Sequence, residues 1–534
     1  MASRRAAFAV GLVGSSVPLV YYLSDSTSGV YKAAMDLGRH VTGTDAEFAH
    51  EVAVKLAKHS LVPMDRVGNP PALRTTVWGI TFPNVLGLAA GFDKNAECMH
   101  VMCGDTGGLG FGFVEVGSVT PQPQPGNPKP RVFRLAKDFG VINRYGFNSD
   151  GETAVAARLD AYRRAQAALP PTARGLVGVN LGKNKDTVEA LDDYVRGVRA
   201  LTQYADYMVV RRVARLEMRL AVLRGLTSRH TNPLVSSGTS CGPPGRDSFY
   251  LSPRALAHRP LDTQPRNPMQ VNVSSPNTAG LRSLQGKRQL HALLDGVQQE
   301  MRRVVASPTY VSRSARGDSD PRYVPPLLVK ISPDMSDSEL SDVAAVAAQL
   351  RVDGIIVSNT TIGGRDALLE RAVANEVGGL SGRPLKEKAD AALGKLYRLT
   401  GGKIPLVGVG GVSSAEDAYD KIKLGASLVQ VYSALVYEGP GLPAAIKVRY
   451  PTTSRIPRPP HKTRAHFLLS CPSFPLPPPH LPRRIAGASG TSRSSWHGTV
   501  TRLWLMPSAR RTGPSGKTEF ALVVSFYGIY MSLS

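Results

Sequence analysis

The chain is expected to fold as a (β/α)8 TIM barrel over residues 72–447, preceded by a small helical unit and an N-terminal membrane anchor. Three observations support this. Eight short apolar runs have the look of strands buried on both faces: NVLGLAAGF (84–92), FGFVEVGSVT (111–120), LVGVNLG (176–182), YMVV (207–210), LLVKISPD (327–334), GIIVSNTT (354–361), IPLVGVGG (404–411) and LVQVYSAL (428–435). Helical patterns separate most of them, such as 189–204 and 414–424, and that alternation builds a parallel sheet. Every run turns polar or glycine-rich at its carboxyl end, where such barrels carry their chemistry.

Composition narrows the function classes. With 534 residues, 42% hydrophobic and 20% charged, the chain can bury one large core with appendages. A net charge of +24 would suit nucleic acid or an anionic membrane, but it is concentrated. Residues 211–270 hold ten Arg against three acids and residues 448–534 twelve Lys and Arg against one Glu, which leaves only +6 elsewhere. No zinc-finger spacing, RGG run or aromatic-basic interleaving accompanies the charge, so nucleic acid is not an expected partner. Cys98, Cys103, Cys241 and Cys471 lack CxxC spacing; free thiols are expected, without a disulfide framework, iron–sulfur cluster or metal site.

In chain order, Arg4 and Arg5 precede an uncharged apolar stretch at 6–23, AAFAVGLVGSSVPLVYYL, which reads as a retained anchor within a targeting and spanning segment at 1–24. The unit at 30–68 contains an amphipathic helix at 45–60, with Phe48, Val52, Leu56 and His59 about one turn apart. Such a helix packs on the main domain or lies on a membrane surface. At the first strand end Ala89, Ala90 and Gly91 put little side chain in the way of a flat ligand, and Lys94 follows as a concentrated cation. The loop INRYGFNS (142–149) mixes amides, rings and glycine, which suits a planar ring with carbonyl groups as well as a structural turn.

Asn180 and Asn272 stand at the third and fourth strand ends, where a buried amide must find partners. Lys330, inside the apolar LLVKIS, needs a counter-charge from either an acid or an anionic ligand. GGLSG (378–382), GVGG (408–411) and Tyr432-Ser433 fall at the ends of the last three barrel segments. GVGG before a short helix reads as a phosphate cradle, and the dinucleotide fingerprint GxGxxG is absent.

Two pieces violate the plan. Residues 210–270 interrupt the fourth strand, and residues 448–534 open with a Pro-rich run that cannot continue the closing helix. Both begin with Val-Arg, encodable by a GTGCGT-type splice donor, and the first ends in Gln, encodable by the acceptor CAG. Retained introns are the leading explanation; a genuine basic insertion and tail are the alternative.

The run VNVSSPNTAGLRSLQGK (271–287), with AAGFDKN (89–95), INRYGFNS and VGVGG (407–411), resembles the membrane-associated, class 2 dihydroorotate dehydrogenases, nearly continuously from about residue 44 to 447 outside the interruption. The resemblance implies FMN as cofactor, dihydroorotate and orotate as substrate and product, ubiquinone as final acceptor, and single-pass attachment to the lipid of the mitochondrial inner membrane. It implies that Ala89, Ala90, Gly91, Gly117, Ser118, Asn180, Asn272, Lys330, Ser358, Ser381, Gly382, Gly410, Gly411, Tyr432 and Ser433 bind FMN, Lys330 near flavin N1. Lys94 would meet the substrate carboxylate; Asn143, Asn148, Asn272, Asn277, Asn359 and Thr360 would bind the pyrimidine, with Tyr145, Gly146 and Phe147 shaping its pocket. His50, Ala53, Arg134 and Tyr432 would line a quinone tunnel, although Leu56 and Ala57 depart from the Phe and Thr of some relatives. Ser275 is the expected general base for the C5 proton; soluble relatives use cysteine there, so serine points to the quinone-linked class.

Overall fold

The computed structural model describes residues 22–31, 33, 45–103, 108–211, 279–315 and 320–450. Its strands, in chain order, are β1 (Thr75–Val77), β2 (Ile80–Phe82), β3 (Leu86–Leu88), β4 (Phe113–Val119), β5 (Val132–Leu135), β6 (Gly140–Asn143), β7 (Leu176–Leu181), β8 (Tyr207–Arg211), β9 (Leu327–Ile331), β10 (Gly354–Val357), β11 (Gly379–Gly382), β12 (Leu406–Val409) and β13 (Ala426–Val431). The principal helices are α1 (Ala46–Lys58), α2 (Glu152–Gln166), α3 (Ala190–Leu201), α4 (Ala279–Ala306), α5 (Asp337–Gln349), α6 (Lys386–Leu399), α7 (Ala415–Lys423) and α8 (Leu442–Arg449). Strands β3, β4, β7, β8, β9, β10, β12 and β13 close an eight-stranded parallel barrel, β13 pairing back onto β3. All eight apolar runs are therefore barrel strands, since each needs neighbours on both edges and cover on both faces to satisfy its backbone and bury its side chains.

The amino end of the barrel is plugged. The β1–β2 hairpin turns through Trp78 and Gly79, both at positive φ, and Trp78 Nε1 donates to Asp353 O at 2.7 Å. Phe82, Phe113 and Tyr207 pack edge-to-face behind it, with ring centroids 5.2 Å apart for the first pair and 6.2 Å for the second. Gly178 makes room for Tyr207: a Cβ there would lie 2.0 Å from the ring. A filled base leaves the carboxyl ends of the strands as the open face.

That face carries a second sheet not foreseen from the sequence, β5–β6–β11, antiparallel throughout. GGLSG is thus corrected from the end of a barrel segment to a lid strand: Leu380 pairs with Ile142 and Ser381 with Val141. Its glycines allow close approach to β6, which is why the run reads as a loop in isolation.

Helix α1 forms as expected, with Asp45 accepting from Glu47 N at 2.8 Å and Lys55 and Lys58 in its last turn. Its inward face is offset from the anticipated stripe. Glu47 and Ala57 are buried, whereas Phe48 is 47% exposed. The reason is Arg131, which takes both oxygens of Glu47 and rotates that acid inward.

The membrane-spanning segment is overturned. Among the described residues no helix is long and apolar enough to cross a membrane. Of the stretch 6–23 only Tyr22 and Leu23 are described, and the chain turns immediately after them, Ser24 and Ser26 bonding the backbone of Met64. The single-pass localisation falls with it.

Strand β8 continues through Arg211, which pairs with Lys330, while the expected continuation at Val271 lies outside the described residues. At the other end α8 runs to Arg449 and Tyr450 packs on Tyr419, ring centroids 5.8 Å apart.

Candidate active site

The strand ends enclose a cavity of about 690 Å³, counting its open mouth. Ala89 and Ala90 after β3, Lys330 from β9, Ser358, Asn359 and Thr360 after β10, Ser381 and Gly382 of β11, Gly410 and Gly411 after β12, and Tyr432 and Ser433 after β13 all line it. Of the residues expected at the cofactor, Gly91, Gly117, Ser118 and Asn180 lie beside rather than on the wall: Gly91 N donates to Gly117 O at 2.9 Å, and Ser118 Oγ donates to Asn180 Oδ1 at 2.6 Å. Arg383, Gln430, Val412 and Ser413 also line the cavity and were missed. Their signal was position alone, one or two residues from a glycine run or a strand end.

Each wall is positioned by backbone. Ser358 N bonds Val409 O at 3.0 Å and Asn359 N bonds Ile331 O at 2.8 Å, which staples the end of β10 between its neighbours. Ser433 Oγ donates to Ser381 Oγ at 2.8 Å, and Ser381 Oγ to Val141 O at 3.1 Å, joining the barrel to the lid sheet. Gly411 must be glycine. Its φ is +74°, and a Cβ would lie 2.4 Å from Lys386 Cβ in the first turn of α6. The 410–413 turn then enters α7, capped by Ser414, while Ser413 N and Oγ are both taken by Asp417 at 2.9 Å. A flat open wall, a glycine turn ahead of a helix and one ammonium suit a flat ring bearing a single phosphate.

Beneath the cavity Lys330 Nζ stands 3.5 Å from Glu115 Oε1, both side chains being buried. The acid partner of Lys330 is therefore real, and Lys330 lines the cavity as well.

A second group of residues sits under the lid. Lys94 Nζ lies 3.3 Å above the Tyr145 ring, and among the described residues no carboxylate is within ion-pair range of it. Burial, opposed by the charge of Glu47, lowers its pKa to about 7. Three residues along the loop from Tyr145, Asn148 Oδ1 is buried without a hydrogen-bond partner. A cation without an acid partner and an orphaned acceptor suit an anionic ligand bearing an N–H donor. The loop is fixed by residues absent from the expectations: Asn127 N donates to Tyr145 O at 2.8 Å, its Nδ2 to Arg144 O at 2.7 Å, and Gln124 Nε2 to Phe147 O at 2.9 Å. Gly146 follows at φ +75°, and Asn143 pairs with Gly379 of β11, where a Cβ would lie 2.0 Å from Thr360 Oγ1. Ser275, Asn272 and Asn277 lie outside the described residues. At the end of β8, the position expected to lead into Asn272, Arg211 holds its guanidinium 4.9 Å from the Phe147 ring centre.

The acceptor-side residues form an aromatic cluster. His50 lies 5.3 Å from Phe92, 6.4 Å from Tyr145 and 6.2 Å from Tyr432, ring centre to ring centre. His50 Nε2 is 2.8 Å from Phe92 O, and a carbonyl only accepts, so Nε2 carries the hydrogen and Nδ1 is free to accept from Tyr145 Oη at 3.4 Å. Burial, then the Lys94 charge, lower the His50 pKa to about 4, which leaves it neutral at pH 7. Arg134 on β5 is partly buried, and burial pushes its pKa down. Ala53 lies half-buried on α1, one turn from His50.

The family model described as dihydroorotate dehydrogenase matches residues 72–211 and 263–451. The chain is 44% identical over 419 residues to a mitochondrial dihydroorotate dehydrogenase (quinone) of Arabidopsis thaliana, covering 76% of this chain and 74% of that one. It is 42% identical over 404 residues to the Mus musculus protein of the same name, covering 76% and 81%. Ligand-free dihydroorotate dehydrogenase from Eimeria tenella superposes with a TM-score of 0.58 at 36% identity, over 76% of this chain and 94% of that structure. On a family match over most of the chain and on relatives this similar, the chain belongs to the quinone-dependent dihydroorotate dehydrogenases, FMN enzymes that oxidise dihydroorotate to orotate in pyrimidine biosynthesis and pass the electrons to a ubiquinone-type acceptor.

Proposed function

We propose that Lys94 captures the dihydroorotate carboxylate, that Asn143, Asn148, Asn272, Asn277, Asn359 and Thr360 bond the ring, and that Ser275 takes the C5 proton. One observation carries this reading: the Lys94 ammonium, set over the Tyr145 ring, has no acid partner among the described residues, while on the same 142–149 loop the buried carbonyl of Asn148 stands unbonded. FMN, when bound, supplies the hydride acceptor. Ala89, Ala90, Ser358, Ser381, Gly382, Gly410, Gly411, Tyr432 and Ser433 would hold it, with Lys330 offering positive charge from below. Gly91, Gly117, Ser118 and Asn180 would support that wall from behind. Tyr145, Gly146 and Phe147 cover the substrate and exclude water, and the Ser275 hydroxyl passes its own proton outward as it gains the one from C5.

On the other side, His50, Ala53, Arg134 and Tyr432 would receive the quinone head. Tyr432 supports this because it lines the cavity and also touches the His50 and Phe92 rings. The half-exposed Phe48, Leu61 and Met64 suit a peripheral lipid surface as the quinone reservoir. We also propose that residues 210–270 and 448–534 are intron-derived. The family match stops at 211 and resumes at 263, ends at 451, and the Arg211 side chain lies against the substrate loop.

The test is anaerobic stopped-flow. Wild-type protein bleaches its flavin with dihydroorotate, whereas Lys94→Ala retains FMN and needs far more substrate. Bleaching by Lys94→Ala at unchanged substrate affinity would overturn the reading.

A further inference from the structure

Glu115 belongs to no motif, yet its carboxylate is where four barrel strands meet. Oε1 accepts from Asn180 Nδ2 at 2.8 Å and stands 3.5 Å from Lys330 Nζ. Oε2 accepts from Gln430 Nε2 at 2.7 Å. Glu115 lies on β4 and its partners on β7, β9 and β13, so the contacts cross the interior of the barrel. Asn180 is itself pinned at its other end by Ser118. Lys330 and Gln430 line the cavity; Glu115 sits behind them, 0% exposed.

Both carboxyl oxygens face N–H donors, and a protonated acid would need to aim its own hydrogen at an acceptor instead, so this geometry holds the anion. An isolated ammonium or an isolated carboxylate at this depth would be costly, while the pair with two amide donors satisfies both. The cavity thus meets a cation whose charge is largely offset from directly behind.

We propose that Glu115 is a positioning residue of the reaction, a buried counter-charge that holds Lys330, Asn180 and Gln430 in place under the flavin and limits how strongly Lys330 favours the reduced cofactor. The inference rests on the reading that puts Lys330 at the flavin edge where negative charge gathers on reduction. Its logic is balance. This cofactor must be reduced by one substrate and reoxidised by another, and a bare lysine beneath it would favour reduction at the expense of reoxidation.

The experiment measures the two-electron midpoint potential of FMN-loaded wild type, Glu115→Gln, Lys330→Met and the double variant by dye equilibration, together with FMN retention and the two half-reactions. Glu115→Gln keeps an amide of the same shape but removes the charge. Its oxidised-to-reduced equilibrium should move at least tenfold toward reduced flavin, about 30 mV positive for a two-electron couple. Reoxidation by quinone should slow and reduction should not. Lys330→Met should move the potential the other way, and the double variant should return to within about threefold of wild type in that equilibrium constant, about 14 mV. An unchanged or negative-going potential in Glu115→Gln, with Lys330→Met shifted as stated, overturns the proposal and leaves the Lys330 reading intact. An unchanged potential in Lys330→Met overturns the Lys330 reading and the proposal with it. If Glu115→Gln does not retain flavin, the other two variants decide: a double variant that retains more FMN than Lys330→Met at a near-wild-type potential supports the counter-charge, and one no better than Lys330→Met refutes it.

Discussion

Glu47→Leu should release α1 from the lid while leaving the barrel folded. Arg131 Nε and Nη2 reach Glu47 at 2.9 and 2.7 Å, and Arg131 Nη1 is held separately by Pro125 O at 2.6 Å and Asn127 O at 2.7 Å. The side chains of Glu47 and Arg131 are only 4% and 8% exposed. Leucine fills the space but leaves two buried donors of a charged group unpaired, a loss of about 3–5 kcal/mol for breaking a buried pair from one side. At about 1.4 kcal/mol per factor of ten, the open population of α1 rises by roughly 10² to 4 × 10³. The more exposed Lys129–Glu51 pair, 50% and 44% exposed, is the control, since removing it should cost about 0–1 kcal/mol. Hydrogen–deuterium exchange reads the outcome: amides of Ala46–Lys58 should lose protection while those of β7 and β9 keep theirs. Stopped-flow should show flavin reduction spared and reoxidation by a long-chain quinone slowed, because His50 leaves Tyr432 with the helix. Equal exchange in α1 of variant and wild type, or equal loss in the barrel strands, would refute the latch. The pair also has a pH signature. Burial opposes ionisation of Glu47, but the Arg131 hydrogen bonds and charge outweigh it and hold its pKa below 4.5. Its contribution is therefore present above about pH 4.5 and lost as pH falls through the lowered value, so α1 should open first in acid.

Orotate affinity, followed by flavin difference spectra, should fall as pH rises through about 7, where burial has brought Lys94, and a flat profile from pH 6 to 9 would argue against its role. The sign for stability is opposite: the unfolded chain keeps a proton that folded Lys94 releases, so this residue makes stability rise with pH from about 7 to 10.5, measurable by urea denaturation of the apoprotein. Ser275→Ala should retain FMN and lose about 10² to 10⁴ in the rate of bleaching by dihydroorotate, with quinone reoxidation spared. Deleting 210–270, which joins Val209 to Val271, should raise FMN occupancy and turnover, since a misplacement of about 1 Å at the end of β8 can cost roughly 10² in rate. Equal occupancy and equal rates in the two proteins would show that the segment is a tolerated insertion.

The barrel was legible because its signals are local. An apolar run such as LVGVNL is a strand wherever it sits, and the turn to polar or glycine residues at its end needs no partner to be recognised. The cavity residues at those ends followed from the same pattern, and the family resemblance added the roles proposed for them. What escaped was decided by contacts across the chain. The inward face of α1 was read one position off because hydrophobicity alone ranks Phe48 above Glu47, and only Arg131, 84 residues away, makes burying the acid favourable. GGLSG became a lid strand because β6 supplied an edge for it. The anchor at 6–23 was read from hydropathy, but the described structure holds no spanning helix, and the chain after Leu23 turns onto Met64. Glu115 carried no signal at all. Its amide partners lie 65 and 315 residues further on, and a glutamate inside FVEVGSV reads as an ordinary strand residue until barrel closure places β4 opposite β9 and β13. Sequence determines what each segment can bury on its own; which charges it must bury together is set only when distant strands share one interior, where the cost of an unpaired charge rises steeply.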